Sequence, residues 1–166
     1  MSALDGGIVL ALSFALLCPL RIELALALGS AQAAALAGAA IARGSYKEAV
    51  AILLLNGIAL PGLLRSLPPS GRRPMRVPNV TMLSAGGILA LLAAPLNVPL
   101  AVVLLGILLA ASTRDRTAQV LGLLAMQNGI ALAGLDLPDV ERVAAILPVI
   151  PALAWAALWT CERRQA

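Results

Sequence analysis

Seven apolar runs, with charged residues at their ends or in the short segments between them, make up most of this chain. A helix needs about 20 apolar residues to cross the hydrocarbon core of a bilayer, and about 17–25 are tolerated. The runs lie at 3–20, 22–42, 47–65, 79–95, 97–113, 117–135 and 141–160. They predict an all-α, polytopic integral membrane helix bundle with seven transmembrane helices, or with six if the first run is not inserted.

The overall composition leads to the same class of protein. Of the 166 residues, 61% are hydrophobic and 12% are charged, and the mean hydropathy is +0.96. Soluble domains are about half apolar and about one quarter charged, and a small globule cannot bury so much apolar surface. The first run begins beside Asp5 and no basic residue precedes it, so we expect a retained span rather than a cleaved signal peptide.

The basic residues predict the orientation of the bundle. With seven spans, one side of the membrane receives Arg43, Lys47 and Arg142, and the other side receives the remaining nine of the 12 basic residues. Since cytoplasmic loops carry the excess of lysine and arginine, the N-terminus is predicted outside and the C-terminus inside. The pI near 10 is therefore attributed to basic residues that orient the chain in the membrane, and not to nucleic-acid binding.

The longest connection, "RSLPPSGRRPMRVPN", divides the chain. We predict a three-helix N-terminal segment at 1–66, a basic, proline-rich cytoplasmic loop at 67–78 and a four-helix C-terminal segment at 79–166. Arg72, Arg73 and Arg76 are the basic residues of the loop. Orientation and solvation are their expected role, and contact with anionic lipid or with an acidic partner surface is the alternative.

Residues that support catalysis are scarce. The chain has no histidine, and its two cysteines, Cys18 and Cys161, are far apart and show no metal-ligand spacing. The eight acidic residues lie at or near the ends of the predicted spans, whereas ionisable residues inside a membrane are the usual functional candidates. No catalytic residue, metal site or cofactor is predicted.

Carboxamides are the polar groups that do lie inside predicted spans: Gln32, Asn56, Gln127 and Asn128. They can link helices for about 0.6–2 kcal/mol each, but they do not take up or release a proton near neutral pH. Interhelical contacts are their expected role, and the lining of a hydrated channel is the alternative. Pro61, Pro148 and Pro151 also fall inside spans, where they predict kinks whose freed carbonyl groups need other partners.

Three of these amides lie in two similar stretches, "ILLLNGIALPGL" with Asn56 and "LLAMQNGIALAGL" with Gln127 and Asn128, which share NGIAL-x-G. The two helices would run in opposite directions, as in an inverted repeat. A chance match is the alternative, because glycine, alanine, isoleucine and leucine are abundant throughout the chain.

Four stretches resemble a known family: "RIELALALGSAQAAAL", "NGIALPGLL", "RDRTAQVLGLLAMQNGIAL" and "PDVERVAAILPVIPAL". The chain resembles the membrane component E of hydrogenase-4 and formate hydrogenlyase type complexes. The C-terminal part of that component is related to the small NuoK-like or MrpC-like subunits of respiratory complex I and of multisubunit cation antiporters. The third stretch carries the most recognisable motif, which is matched by Arg116, Gln119, Gly122, Asn128 and Gly129.

The departures from this family all remove charge. The resemblance implies a lysine where this chain has Asn56, a glutamate where it has Gln127, and an aspartate near Leu147. The amides keep the size and the hydrogen bonding of an expected proton-pathway pair without its charge. A charged side chain buried in lipid costs a few kcal/mol or more, and a neutral amide in its place removes that cost.

The resemblance implies a non-catalytic membrane subunit of a hydrogenase-4-like or complex I-like assembly in the bacterial cytoplasmic (inner) membrane. It would scaffold an antiporter-like subunit, bind no cofactor or nucleic acid, and translocate few protons or none. One alternative is a stand-alone small membrane transporter with an amide-lined polar cavity. Another is proton traffic through water held by the amides, with titratable groups supplied by a neighbouring subunit.

Overall fold

The computed structural model describes residues 3–18, 22–66, 80–112 and 116–135, and the regular structure within these ranges is helical. A seven-residue π-helical stretch, Leu53–Ala59, directly connects two short α-helices, and we call it the π segment. The all-α class is confirmed for the described residues. The α-helices are α1 (Ala3–Ala15), α2 (Ile22–Ala42), α3 (Tyr46–Ile52), α4 (Leu60–Ser66), α5 (Val80–Ala93), α6 (Val98–Ser112) and α7 (Arg116–Gly134).

Six of the seven predicted spans fall on described residues, and each of them contains helix. The third predicted span, 47–65, is divided among α3, the π segment and α4. The seventh, 141–160, lies outside the described residues together with Pro148 and Pro151. The predicted loop at 67–78, with Arg72, Arg73 and Arg76, also lies outside them, as does Cys161.

The lengths of the helices leave the number of membrane crossings open. Within the described ranges, the helix with both the length and the apolar composition to cross a membrane is α2, over Glu23–Ala42. Shorter apolar helices cover Gly6–Ala15, Thr81–Ala93, Val98–Ser112 and Ala118–Gly134. At 1.5 Å per residue even the longest of these four spans about 26 Å, less than the roughly 30 Å of a hydrocarbon core. Seven spans therefore stay a prediction.

A tight turn returns the chain from α2 to α3. Gly44 has a φ of 81°, in the left-handed region that glycine adopts without steric cost. The Gly44 amide donates to Ile41 O and the Ser45 amide donates to Ala40 O, which is the hydrogen-bond pattern of a Schellman C-cap. The turn brings α3 and the π segment back along α2.

Helix α2 lies at the centre of the described structure, where it contacts α1, α3, the π segment, α4 and α7. Two clusters of buried apolar side chains fill the space around it. One includes Leu36, Ile52 and Leu132, and the other includes Leu26 and Leu121. Each cluster joins helices that precede residues 67–78 to helices that follow them, so the N-terminal and C-terminal segments share one core.

Helices α6 and α7 pack with their backbones in contact. A Cβ atom added to Gly106 would lie 2.5 Å from Met126 N and 2.7 Å from Gly122 O. A Cβ added to Gly122 would lie 2.6 Å from Ala110 N. Small residues permit such close approach between membrane helices. The contact fixes the position of α7, which carries two of the four predicted amides.

Candidate functional site: a buried amide cluster

The π segment occurs where a proline interrupts the backbone hydrogen bonds of the third predicted span. In an α-helix the Gly57 carbonyl would accept from the amide of residue 61, but Pro61 has no N–H group. The Ser30 hydroxyl of α2 donates to Gly57 O instead, at 2.8 Å. A neighbouring helix thus satisfies the carbonyl that the proline frees, as the sequence predicts for an interior proline.

Asn56 lies in the middle of the π segment and bonds to two amides of α7. Its Nδ2 donates to Asn128 Oδ1 at 2.9 Å. Its Oδ1 accepts from Gln127 Nε2 at 3.2 Å. We call Asn56, Gln127 and Asn128 the amide cluster. The two asparagines of the repeated NGIAL-x-G stretches are therefore bonded directly to each other.

The glycine that follows each asparagine permits the close packing around the cluster. A Cβ on Gly57 would lie 3.3 Å from Leu53 Cδ1. A Cβ on Gly129 would lie 2.8 Å from Val103 Cγ2 and 2.9 Å from Val103 N. In both stretches the asparagine provides the hydrogen bond and the glycine admits a neighbouring group.

The cluster is removed from solvent. The exposed fractions are 3% for Asn56, 4% for Gln127 and 0% for Asn128. At such burial a hydrogen bond between amides lies in a low dielectric, which strengthens it relative to water. Among the described residues, two atoms of the cluster have no hydrogen-bond partner, Gln127 Oε1 and Asn128 Nδ2.

Gln32, the fourth predicted amide, is not a member of the amide cluster. It bonds to α1 instead. Its Nε2 donates to the Ser13 hydroxyl at 2.6 Å, and that hydroxyl donates to Val9 O at 2.7 Å. Gln32 is 0% exposed and Ser13 is 2% exposed. This pair links α1 to α2, whereas the amide cluster links the π segment to α7.

Sequence reasoning missed two serines: Ser13, which accepts from Gln32, and Ser30, which donates to Gly57 O. Serine in a helix often bonds to the carbonyl four residues earlier, as Ser13 does, and this local option hides any longer-range role. For Ser30 a signal did exist. Pro61 removes the donor for Gly57 O, so a donor on a neighbouring helix was to be expected.

The chemistry available at the cluster is hydrogen bonding. Carboxamides donate and accept, but they do not exchange protons near neutral pH. In the described part of the chain no three His, Cys, Asp or Glu residues come together in a group that could hold a metal ion. Cys18, in the turn after α1, is a half-buried free thiol.

Comparisons with protein-family models, with curated proteins and with solved structures find no match to this chain. The family resemblance described above therefore stays a prediction from the sequence motifs.

Proposed function

We propose that this chain is a non-catalytic integral membrane subunit of a hydrogenase-4-like or complex I-like assembly, where it scaffolds an antiporter-like subunit. It translocates few protons or none by itself, and its membrane is the bacterial cytoplasmic membrane. The observation that carries the proposal is the hydrogen bond between Gln127 and Asn56. These are the two positions at which the resemblance implies a glutamate and a lysine.

The geometry of this contact supports a neutral cross-link. A glutamate and a lysine whose side chains met at this distance would form an ion pair, and burying it would cost several kcal/mol per ion before any gain from attraction. An amide pair keeps the contact between the π segment and α7 without that penalty. It also lacks a group that could take up and release a proton in turn. A structural role without translocation follows from both properties.

The distribution of apolar surface supports a membrane location. Exposed isoleucine, leucine or valine side chains occur on α1, α2, α3, the π segment, α5, α6 and α7. Soluble monomers rarely expose large apolar patches, and a helix that is apolar on all sides belongs either in the core of a large protein or in a membrane. Examples, one from each of these elements in order, are Ile8, Leu24, Val50, Ile58, Ile88, Ile107 and Ile130.

Charged residues of the described helices lie near helix ends, consistent with this location. Glu23 is in the first turn of α2, Glu48 is in the first turn of α3, and Arg65 is in the last turn of α4. Such residues can reach the polar interface of a bilayer while the apolar middle of the helix faces lipid or a partner subunit.

Purification from the native membrane tests the proposal. The full chain would carry a C-terminal tag, be extracted in mild detergent and be analysed by mass spectrometry together with the proteins that remain bound. We expect antiporter-like and complex I-like subunits in stoichiometric amounts. Recovery of a lone monomer or homodimer would overturn the scaffold role and favour the stand-alone transporter.

A further inference from the structure

Helix α3, the π segment and α4 follow one another without a gap, and we call this stretch, Tyr46–Ser66, the interrupted helix. Each of its three parts has seven residues, so the whole contains as many residues as α2, which is 21 residues long. At 1.5 Å per residue, the stretch from Tyr46 to Arg65 extends no more than about 28 Å, which approaches the roughly 30 Å of a hydrocarbon core.

One side of the interrupted helix is exposed from its first turn to its last, and we call this side the open face. Its tyrosine and its three branched apolar side chains are each more than half exposed. The amide cluster lies on the opposite side, where Asn56 is buried. The residues of the open face are Tyr46, Lys47, Val50, Leu54, Ile58 and Arg65.

The π segment keeps the open face on one side of the helix. On the buried side, Ala49, Ile52 and Asn56 follow one another at spacings of three and four, as on an α-helix. An α-helical continuation would bring position 59 to the buried side, but Ala59 is exposed, and the buried residue is Pro61, five positions after Asn56. The wider turn of a π-helix, with its i→i+5 hydrogen bonds, accounts for this step of five.

The middle of the open face is apolar and consists of large side chains. From Val50 to Gly62, each exposed side chain that the structure describes lacks a hydrogen-bonding group. Contacts between the helices of this chain differ, because α6 meets α7 through glycines and the π segment meets α7 through amides. Packed membrane helices are enriched in small residues and in polar links, whereas lipid tails require neither.

The two ends of the open face suit the headgroup region of a bilayer. Tyr46 and Lys47 are exposed at one end, and Arg65 is exposed at the other. Tyrosine is enriched at membrane–water interfaces, and lysine and arginine place their charged ends in the polar interface while their stems lie along apolar surface. Positive charge at both ends is complementary to the phosphate groups of the two lipid leaflets.

We propose that the open face is the lipid-facing surface of this subunit, where phospholipid tails lie along Val50, Leu54 and Ile58 and phosphate groups lie near Lys47 and Arg65. Partner subunits dock on other faces. The proposal rests on the membrane location within the proposed function, and it goes further by naming a side of the chain that no partner subunit covers.

Spin labels measure which molecules reach the open face. Val50→Cys, Leu54→Cys and Ile58→Cys would each carry one nitroxide in the full chain, in a background with Cys18→Ser and Cys161→Ser. Each protein is purified with the subunits that remain bound to it and is reconstituted in vesicles of phosphatidylcholine and phosphatidylglycerol. Two collision rates are then compared, with oxygen, which concentrates among lipid tails, and with a water-soluble nickel chelate.

We expect the ratio of oxygen to nickel collisions to be highest at Leu54 and to fall several-fold at labels placed on Lys47 and Arg65. Ile52, on the buried side of the same helix, is the matched control, and a label there should collide rarely with either reagent. Rare collisions with both reagents at Leu54 would show that a partner subunit or a second copy covers the open face, and would overturn the proposal. Frequent nickel collisions at Leu54 would instead overturn the membrane location on which it rests.

Discussion

Gln127 Nε2 lies 3.2 Å from Asn56 Oδ1, although 71 residues separate the two along the chain. One amide belongs to α7 and the other to the π segment, so their bond joins the C-terminal segment to the N-terminal one. With Asn128 on the other side of Asn56, the contact is a cross-link with no titratable member.

Asn56 should matter more for stability than either of its partners. Asn56→Ala removes both recorded hydrogen bonds of the cluster and leaves Gln127 Nε2 and Asn128 Oδ1 unpaired. We expect the free energy of unfolding in detergent to fall by about 1–3 kcal/mol. Gln127→Ala and Asn128→Ala each remove one bond and should cost less, about 0.6–2 kcal/mol.

Asn97→Ala is the matched control for this series. Asn97 accepts one exposed hydrogen bond, from the Leu100 amide at the start of α6. Its loss should cost about 0.5–1 kcal/mol, as for a helix cap in a peptide host. If Asn56→Ala costs no more than Asn97→Ala, the amide cluster does not hold the helices together.

Ser30 and Pro61 should be coupled through the Gly57 carbonyl. Ser30→Ala leaves that buried carbonyl without the donor that the proline already denies it, and we expect a loss of about 1–2 kcal/mol in the free energy of unfolding. In a Pro61→Ala background residue 61 regains its N–H, so Ser30→Ala should cost clearly less. A double-mutant cycle measures the difference, and equal costs in both backgrounds would refute the coupling.

The glycines between α6 and α7 should tolerate no side chain. In Gly106→Ala the new Cβ would meet backbone atoms of Met126 and Gly122, and the helices would have to separate. We expect thermal unfolding to reveal a loss of about 1–3 kcal/mol or more. Gly38→Ala is the control, because a Cβ there has no atom within 4 Å, and it should stabilise α2 by about 0.5–1 kcal/mol. Similar outcomes at both sites would contradict the backbone contact.

Ser13 and Gln32 should behave as a unit. Ser13→Ala alone leaves the buried Gln32 Nε2 without its recorded acceptor, at a cost of about 1–3 kcal/mol. The double variant Ser13→Ala with Gln32→Leu removes both polar partners and should recover much of that loss, since apolar replacement of a whole pair is close to neutral. Denaturant unfolding of the two variants measures this. A double variant that is less stable than Ser13→Ala alone would contradict the assignment.

The sequence predicted the helices closely because apolar length and charge placement are properties of local segments. The second run, predicted at 22–42, is α2 with the same bounds, and the sixth, predicted at 117–135, is α7 shifted by one residue at each end. The first run was predicted to reach residue 20, whereas α1 ends at Ala15. Leu16, Leu17 and Cys18 form a turn there.

The contacts between helices were less predictable. Asn56 and Gln127 were identified as buried polar residues, but no sequence signal placed one within hydrogen-bond distance of the other. That relation depends on the packing of the π segment and of α7 against α2, and on the glycine contact of α6 with α7. The π segment itself was foreseen only as a kink at Pro61. Partner choice is set by three-dimensional packing, which a single sequence does not encode locally.

The Gln127→Leu variant, studied in the parent assembly, tests the central claim most directly. The measurement is proton translocation by sealed membrane vesicles, expressed per assembled complex, together with the amount of complex that assembles. If the amide cluster is a structural cross-link, assembly declines modestly and translocation per assembled complex equals that of the wild type. Full assembly with translocation abolished would contradict the account, because it would show that protons pass through the amide cluster.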